Sequence, residues 1–283
     1  MTSRSNVGSL PNEPETRLGD ESLGPLIRRG LIGFGCARLH HLSSPSSRER
    51  LIRTAIGGGI RILDVAPAYG NGLCERLVGR AVRGSGREVA VNTKVGIPVR
   101  IYPPTADVAF PIMRLVDRMM GTHADAYRRR DFSPEMLRTS LEGSLARLGL
   151  ERVETYFLHE PLETLTSTQW DEVVAQMSRL HEQGKIRSWG IAGPCRSLEL
   201  AQVQSAVPFV IQQPLDELRE RPTPPLSVTR IAYSVFAAFR ASGCKAGFGR
   251  FLEEEAARYP DARFLVSTID SKRLTHWLGE SRS

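Results

Sequence analysis

Hydrophobic positions along the chain follow two alternating patterns. Eight short apolar runs are typical of buried strands. Between them lie longer segments whose apolar residues recur at helical spacing. The predicted strands cover residues 31–34, 60–63, 89–93, 155–158, 188–191, 209–212, 230–233 and 264–266. The predicted helices cover residues 47–58, 74–83, 134–148, 167–183, 197–205, 248–259 and 271–278.

Capping residues mark the ends of two predicted helices. Ser133 is a suitable N-cap for helix 134–148, and Pro134 suits its first helical position. Gly184 is a suitable stop for helix 167–183. The apolar stripe of the first of these helices consists of Leu137, Leu141, Leu145 and Leu148.

The order of these elements predicts the architecture. Strands that alternate with helices predict a parallel sheet, because parallel neighbours need a crossover connection. Eight repeats in 283 residues predict a closed (β/α)8 TIM barrel, which typically needs about 250 residues. We expect residues 1–28 to be a mobile extension and residues 29–283 to form one barrel domain. The long loop at about 96–131 would leave the C-terminal face, where the active sites of such barrels lie.

The composition excludes several classes of protein. No apolar run reaches the ~18 residues of a membrane helix, and the polar N-terminus lacks the apolar stretch of a secretory signal. The four cysteines have no paired spacing, so neither a disulfide framework nor a metal site is predicted. We therefore expect a cytoplasmic protein. The net charge is +7, but the arginines are spread along the chain, and we expect no nucleic-acid partner and no membrane partner.

Three reactive side chains stand directly after consecutive predicted strands. Asp64 follows the second strand, Lys94 the third and His159 the fourth. We expect them to meet, because the carboxyl ends of barrel strands share one rim. Tyr69 lies five residues after Asp64 and can fold back over the barrel mouth. Lys94 is one of four lysines in a chain that otherwise uses arginine, which indicates that its position needs an amine.

These four side chains suit proton transfer to a carbonyl group. A phenol is a weak acid at neutral pH, and a neighbouring ammonium lowers the pKa of a phenol by stabilising the phenolate. Asp64 would hold the Lys94 amine, and His159 would donate a hydrogen bond to the carbonyl oxygen. Taken singly, each residue also has an ordinary structural interpretation as a loop cap, a packing residue, a surface ion pair or a strand end.

On these residues the chain resembles the aldo-keto reductase superfamily from about residue 31 to 278. The family's Asp-Thr-Ala-x-x-Tyr-Gly signature appears as the run from Asp64 to Gly70. Its lysine after strand three appears as Lys94, and its histidine at the end of strand four as His159. The continuation of this run through Gly72 is similar to the branch of the family that acts on sugars and aldoses.

The resemblance implies roles for individual residues. Tyr69 would be the general acid/base. Asp64 and Lys94 would adjust the pKa of Tyr69, and His159 would orient the carbonyl group of the substrate. No glycine-rich Rossmann loop is present; the family instead binds an extended nicotinamide dinucleotide across the barrel mouth. The implied cofactor-binding residues are Gln212 for the carboxamide, Tyr233 for the nicotinamide ring, Ser234 for the pyrophosphate, and Ser267, Thr268 and Arg273 for the adenosine phosphate.

Two positions depart from the family pattern. The family commonly has Ser-Asn after strand five, where this chain has Ala192–Gly193, so side-chain hydrogen bonds to the carboxamide are lost. Many NADP-specific members have lysine at the position of Ser267, but Arg273 can still bind a phosphate bidentately. We therefore expect NADP(H) to be favoured slightly over NAD(H).

Selection of the substrate is expected to rest on the loop, because few residues follow the last strand to close the pocket. The loop at 96–131 carries several large apolar side chains, and Phe236 is a further candidate. Trp189 is interpreted as a core residue.

Three functions are open at this point. The first is an NAD(P)-dependent oxidoreductase that interconverts a small carbonyl compound or sugar and an alcohol. The second is a non-catalytic nicotinamide-binding regulatory barrel, which Ala192–Gly193 would permit and which predicts binding without turnover. The third is an isomerase or lyase that forms a Schiff base on Lys94. Substrate, reaction direction and oligomeric state are left open by the sequence.

Overall fold

A computed structural model describes residues 22–42, 44–105, 107, 109–110, 112–113, 130–161, 165–194, 208–220 and 228–279. All eight predicted strands are present in it. They form one closed parallel barrel in chain order, with the eighth strand paired to the first, which confirms the predicted (β/α)8 fold. The strands are β1 (Ile32–Gly35), β2 (Ile62–Asp64), β3 (Ala90–Val95), β4 (Val153–His159), β5 (Ile186–Ala192), β6 (Phe209–Pro214), β7 (Thr229–Tyr233) and β8 (Ala262–Val266).

Several strands continue beyond the predicted runs, and β2, β3 and β4 do so through Asp64, Lys94 and His159. Six strands, β1 to β6, end one or two residues later than predicted. Lys94 is paired with Phe157, and His159 with Ala192. At Lys94 the polar side chain is accommodated because Asp64 and the carbonyl of Val65 accept from it inside the barrel. Trp189 is fully buried against Phe209, with ring centroids 4.8 Å apart, which confirms its interpretation as a core residue.

Helices occupy most of the connections between strands. Those at predicted positions are α2 (Pro45–Gly57), α3 (Leu73–Arg83), α4 (Pro134–Leu148), α5 (Ser167–Glu182), α8 (Phe248–Arg258) and α9 (Ser271–Trp277). Those not predicted are α1 (Gly24–Arg28), α6 (Leu215–Glu220), α7 (Val235–Ser242) and a 3-10 turn at Leu39–His41. The helix predicted at 197–205 lies outside the described residues. Among the described helices, none is both long enough and apolar enough to span a bilayer.

The predicted ends of α4 are confirmed in detail. Ser133 Oγ accepts a hydrogen bond from the backbone N–H of Met136 at 3.3 Å, and Pro134 is the first helical residue. The helix ends at Gly149, whose φ of 63° is the left-handed conformation that glycine adopts without steric cost. The predicted stripe is buried and forms part of the core: Leu137, Leu141, Leu145 and Leu148.

The packed body of the chain begins earlier than the predicted residue 29. Leu23, Leu26 and Ile27 are buried in the main core. The backbone N–H of Leu23 donates to the carbonyl of Trp277 in α9 at 2.7 Å. Residues 22–28 therefore belong to the barrel body, because apolar side chains at this end cover its core. Residues 1–21 lie outside the described part of the chain.

The described part of the long loop packs on the helix layer. Tyr102 and Phe110 are buried, with ring centroids 6.0 Å apart. Asp107 accepts from Arg76 of α3 at 2.6 Å. The ion pair of Asp107 therefore anchors the loop to α3. Substrate selection was predicted to rest on the whole loop, and its residues 114–129 lie outside the described part of the chain.

Candidate active site

The carboxyl ends of the strands bring the predicted acid, amine and imidazole together. Asp64 is the last residue of β2, Lys94 the last but one of β3, and His159 the last of β4. They therefore lie within the strands, and not directly after them as predicted. Their exposed fractions are 3%, 2% and 8%, so their charges and hydrogen bonds are shielded from bulk water.

Asp64 is the centre of a buried hydrogen-bonded group. Lys94 Nζ donates to Asp64 Oδ1 and also to the carbonyl of Val65 at 3.3 Å. Gln212 Nε2 donates to Asp64 Oδ2 at 2.7 Å. Since a carboxylate only accepts, the amide of Gln212 must direct its NH2 at Asp64 and its Oε1 away from it. Both oxygens of Asp64 are thus engaged, and Lys94 is fixed as an ammonium beside its counter-ion.

A strained loop holds Tyr69 over this group. Three consecutive residues after it, Gly70, Asn71 and Gly72, have φ values of 66°, 54° and 87°. Asn71 Nδ2 donates to the carbonyl of Arg100 at 2.9 Å, which fixes the turn. The Lys94 Nζ atom lies 5.3 Å from the centre of the Tyr69 ring. The Lys94 ammonium and the Tyr69 ring are therefore neighbours at the barrel mouth.

His159 completes the arrangement. Its ring lies edge-on to the ring of Tyr69, with centroids 5.8 Å apart and an angle of 85°. Burial, and then the positive charges of Lys94 and Arg130, lower the pKa of His159 well below its ordinary value of 6.5. The imidazole is consequently neutral at physiological pH, so that it can donate one N–H without carrying charge.

A cavity of about 420 Å³ opens above these residues. Eight of the ten predicted site residues line it: Asp64, Tyr69, Lys94, His159, Gln212, Tyr233, Ser234 and Ser267. Phe236, the aromatic residue considered for substrate selection, lines it as well. The barrel thus gathers into one pocket residues that are distributed over most of the sequence.

Thr268 and Arg273, predicted to contact the adenosine phosphate, lie outside the residues that line this cavity. Thr268 is buried, and its Oγ1 accepts from the backbone N–H of Asp270 at 3.0 Å. The carboxylate of Asp270 accepts from the N–H groups of Lys272 and Arg273 at 2.8 and 3.3 Å. The backbone N–H groups at the start of α9 are therefore capped by an acidic side chain of this chain. The guanidinium of Arg273 lies 5.1 Å from the ring centre of Phe236.

Three charged residues of the cavity wall were not predicted. Arg38 follows β1, Arg240 lies in α7, and Glu160 follows His159 directly. Glu160 has a φ of 47°, an uncommon conformation for a residue with a side chain. Two features of the sequence could have indicated these residues. Arg38 follows a predicted strand, and Glu160 is adjacent to the candidate catalytic residue His159.

The wall fits a phosphate-bearing ligand. Among the described residues, Ser267 Oγ is buried without a hydrogen-bond partner, so a donor is available for an acceptor in the cavity. The first turn of α7 also lines the cavity, with Ser234 as its N-cap. Backbone N–H groups at a helix start attract anions, and Arg38 and Arg240 add positive charge.

The sequence profile of the aldo/keto reductase family matches residues 31–242, three quarters of the chain. The chain belongs to the aldo/keto reductase family. It is 27% identical over 164 residues to a D-threo-aldose 1-dehydrogenase of Pseudomonas sp., covering 56% of this chain and 49% of the relative. It is 31% identical over 135 residues to an NADH-specific methylglyoxal reductase of Escherichia coli, covering 47% of this chain and 37% of the relative. The matched region thus spans less than half the length of each of these relatives.

Solved structures of the family share the fold. An aldo/keto reductase from Klebsiella pneumoniae, in complex with NADP and acetate, superposes with a TM-score of 0.59 at 18% identity. The superposition covers 88% of this chain and 85% of that one. This likeness supports the barrel architecture of this family member.

Proposed function

We propose that this aldo/keto reductase family member is an NAD(P)(H)-dependent oxidoreductase that interconverts a carbonyl compound and an alcohol, with Tyr69 as general acid/base. The observation that carries the proposal is the buried Asp64–Lys94 ion pair beside the Tyr69 ring and a neutral His159. These groups line one cavity. They supply a proton donor and a hydrogen-bond donor for the same oxygen atom.

Each of the four side chains has a separate role in proton transfer to or from the substrate oxygen. A bound nicotinamide dinucleotide would supply the hydride in reduction or accept it in oxidation. In reduction, Tyr69 gives its phenolic proton to the carbonyl oxygen, and the Lys94 ammonium stabilises the phenolate that remains. Asp64 keeps Lys94 charged and in place. Neutral His159 donates an N–H to the same oxygen, and in oxidation the phenolate takes the hydroxyl proton of the alcohol.

NADP(H) is the proposed cofactor in preference to NAD(H). The cationic groups Arg38 and Arg240 at the cavity wall support it, because an additional phosphate group carries additional negative charge. Similar proteins bind either cofactor. The structure from Klebsiella pneumoniae is a complex with NADP, and the Escherichia coli methylglyoxal reductase is NADH-specific. Both cofactors therefore belong in the first assay.

A small aldose or polar aldehyde is the proposed substrate. The similarity to D-threo-aldose 1-dehydrogenase supports it. A Schiff base on Lys94 is less well supported, because its amine is engaged by Asp64 Oδ1 and the Val65 carbonyl.

The test is turnover of NADPH and NADH with a panel of aldoses and simple aldehydes. Tyr69→Phe removes one hydroxyl from the cavity, and we expect turnover to fall by about 10²- to 10⁴-fold, with cofactor binding kept. Tyr156→Phe is the matched control, since its hydroxyl donates to the Leu137 carbonyl at 3.0 Å, away from the cavity. Cofactor binding by the wild type without turnover across the panel would favour the non-catalytic barrel.

A further inference from the structure

Glu160 fills the space beside Gly193 at the cavity wall. The backbone N–H of Glu160 donates to the Ala192 carbonyl at 2.6 Å. A Cβ atom on Gly193 would lie 2.9 Å from Glu160 Cγ and 3.0 Å from its Cα. A residue with a side chain at position 193 is therefore incompatible with Glu160 as placed. The absence of the family's polar side chain at Gly193 is therefore what allows Glu160 to take its position.

Arg130 holds Glu160 in this position. Its Nε donates to the Glu160 carbonyl at 3.0 Å and to the His159 carbonyl at 3.3 Å. One terminal nitrogen donates to Glu160 Oε2 at 3.1 Å. The side chain of Arg130 is 6% exposed and that of Glu160 40%. One guanidinium thus fixes both the backbone turn and the carboxylate, which explains how a φ of 47° is maintained.

The neighbouring strand presents a second acceptor. Ala192 in β5 pairs with His159 in β4 on one side and with Gln212 in β6 on the other. Gln212 therefore lies two strands from β4, which ends at His159, directly before Glu160. Since Gln212 Nε2 is engaged by Asp64, its remaining polar atom is the acceptor Oε1. Glu160 and Gln212 both line the cavity, at the wall where Ala192 and Gly193 offer no polar side chain, and each has a side-chain oxygen that can accept a hydrogen bond.

Such a wall suits an NH2 group of a ligand. We propose that Glu160, which occupies the space that a side chain at position 193 would need, accepts a hydrogen bond from the carboxamide NH2 of the nicotinamide. This assignment rests on the proposed function, since it requires a bound nicotinamide dinucleotide. A hydrogen bond to a charged acceptor is stronger than one between neutral groups, so a single carboxylate can replace a lost polar side chain.

The test compares two dinucleotides by isothermal titration calorimetry: NADP⁺ and its 3-acetylpyridine analogue, in which a methyl group replaces the carboxamide NH2. We expect the wild type to bind the analogue about tenfold or more weakly. Glu160→Gly removes the carboxylate and suits the left-handed backbone, so we expect this variant to remain folded and to lose most of the preference.

Glu154→Ala is the matched control. Glu154 is 34% exposed and bound to Arg187 at 3.2 Å, much as Glu160 is bound to Arg130, but it lies outside the active-site cavity. It should keep the wild-type preference. An unchanged preference in Glu160→Gly would overturn the assignment and leave the proposed function intact. Failure of the wild type to bind NADP⁺, the analogue and also NAD⁺ would instead overturn the proposed function, and the assignment with it.

Discussion

Gln212 donates to Asp64 across 148 positions of sequence, with 2.7 Å between Nε2 and Oδ2. The other oxygen of Asp64 accepts from Lys94. One carboxylate therefore joins β2, β3 and β6 at the floor of the cavity. Because both oxygens are engaged, Asp64 fixes the ammonium and also the orientation of the Gln212 amide.

The first prediction concerns the Asp64–Lys94 pair. Asp64→Asn leaves Lys94 buried without its counter-ion, and removal of one partner of a buried ion pair costs about 3–5 kcal/mol. We expect a loss of this order in the free energy of unfolding in urea. Asp216→Asn is the control, since that carboxylate is 69% exposed and 3.7 Å from Arg219, and exposed pairs contribute about 0–1 kcal/mol. Equal losses in both variants would contradict a buried ion pair.

The second prediction is a pH dependence that His159 causes. Burial and the charges of Lys94 and Arg130 lower the pKa of the folded-state imidazole. Below pH ~6.5 the unfolded chain takes up a proton on this ring, whereas the folded protein does not. The contribution of the neutral ring to the free energy of unfolding is therefore fully present above this pH. It is lost as the pH falls, by up to about 1.4 kcal/mol for each pH unit.

This pH dependence is measured by urea unfolding at several pH values between roughly 7.5 and 5, a window that spans the ordinary histidine pKa. His159→Gln removes the titrating ring, so its free energy of unfolding should fall less steeply with acid than that of the wild type. Identical slopes for the two proteins would show that the ring is protonated equally in the folded and unfolded states.

The third prediction concerns a buried carboxylate behind Lys94. Glu75 is fully buried in α3 and accepts from Thr93 Oγ1 at 2.8 Å and from Arg147 Nε at 2.5 Å. Glu75→Ala and Arg147→Ala should each destabilise the fold, and the double variant should lose less than the sum. A coupling energy of about 0.5–3 kcal/mol is expected for contacting residues. Additive losses in urea unfolding would argue against direct contact.

The barrel and the four central residues were predictable because their signals are local. Each strand is an apolar run, and Asp64, Lys94 and His159 are the polar residues at which three of these runs stop. The exact ends of β2 and β3 were not predictable, since these strands continue through Asp64 and Lys94, whose side chains have buried partners. α6 and α7 escaped prediction because they have only six and eight residues and begin at or just after a strand end.

The rest of the cavity wall depends on contacts that sequence spacing does not reveal. Glu160 gains its place from Arg130 and from the absence of a side chain at Gly193. Arg273 is predicted to bind a phosphate through its guanidinium, while the carboxylate of Asp270 accepts from the backbone N–H groups at the start of its helix. A capping residue and a phosphate compete for the same donors, and the sequence alone does not say which binds there.

The last prediction tests the packing that positions the Tyr69 loop. Gly79 of α3 lies so close to α4 that a Cβ atom would be 2.1 Å from the carbonyl oxygen of Leu148. Backbone atoms must then move, so we expect Gly79→Ala to cost about 1–3 kcal/mol or more in urea unfolding. Gly57→Ala is the control, because nothing lies within 4 Å of its added carbon and alanine favours a helix by up to about 1 kcal/mol. Since α3 begins four residues after Tyr69, the displaced helix should also lower turnover, and equal stability of the two variants would contradict the close contact.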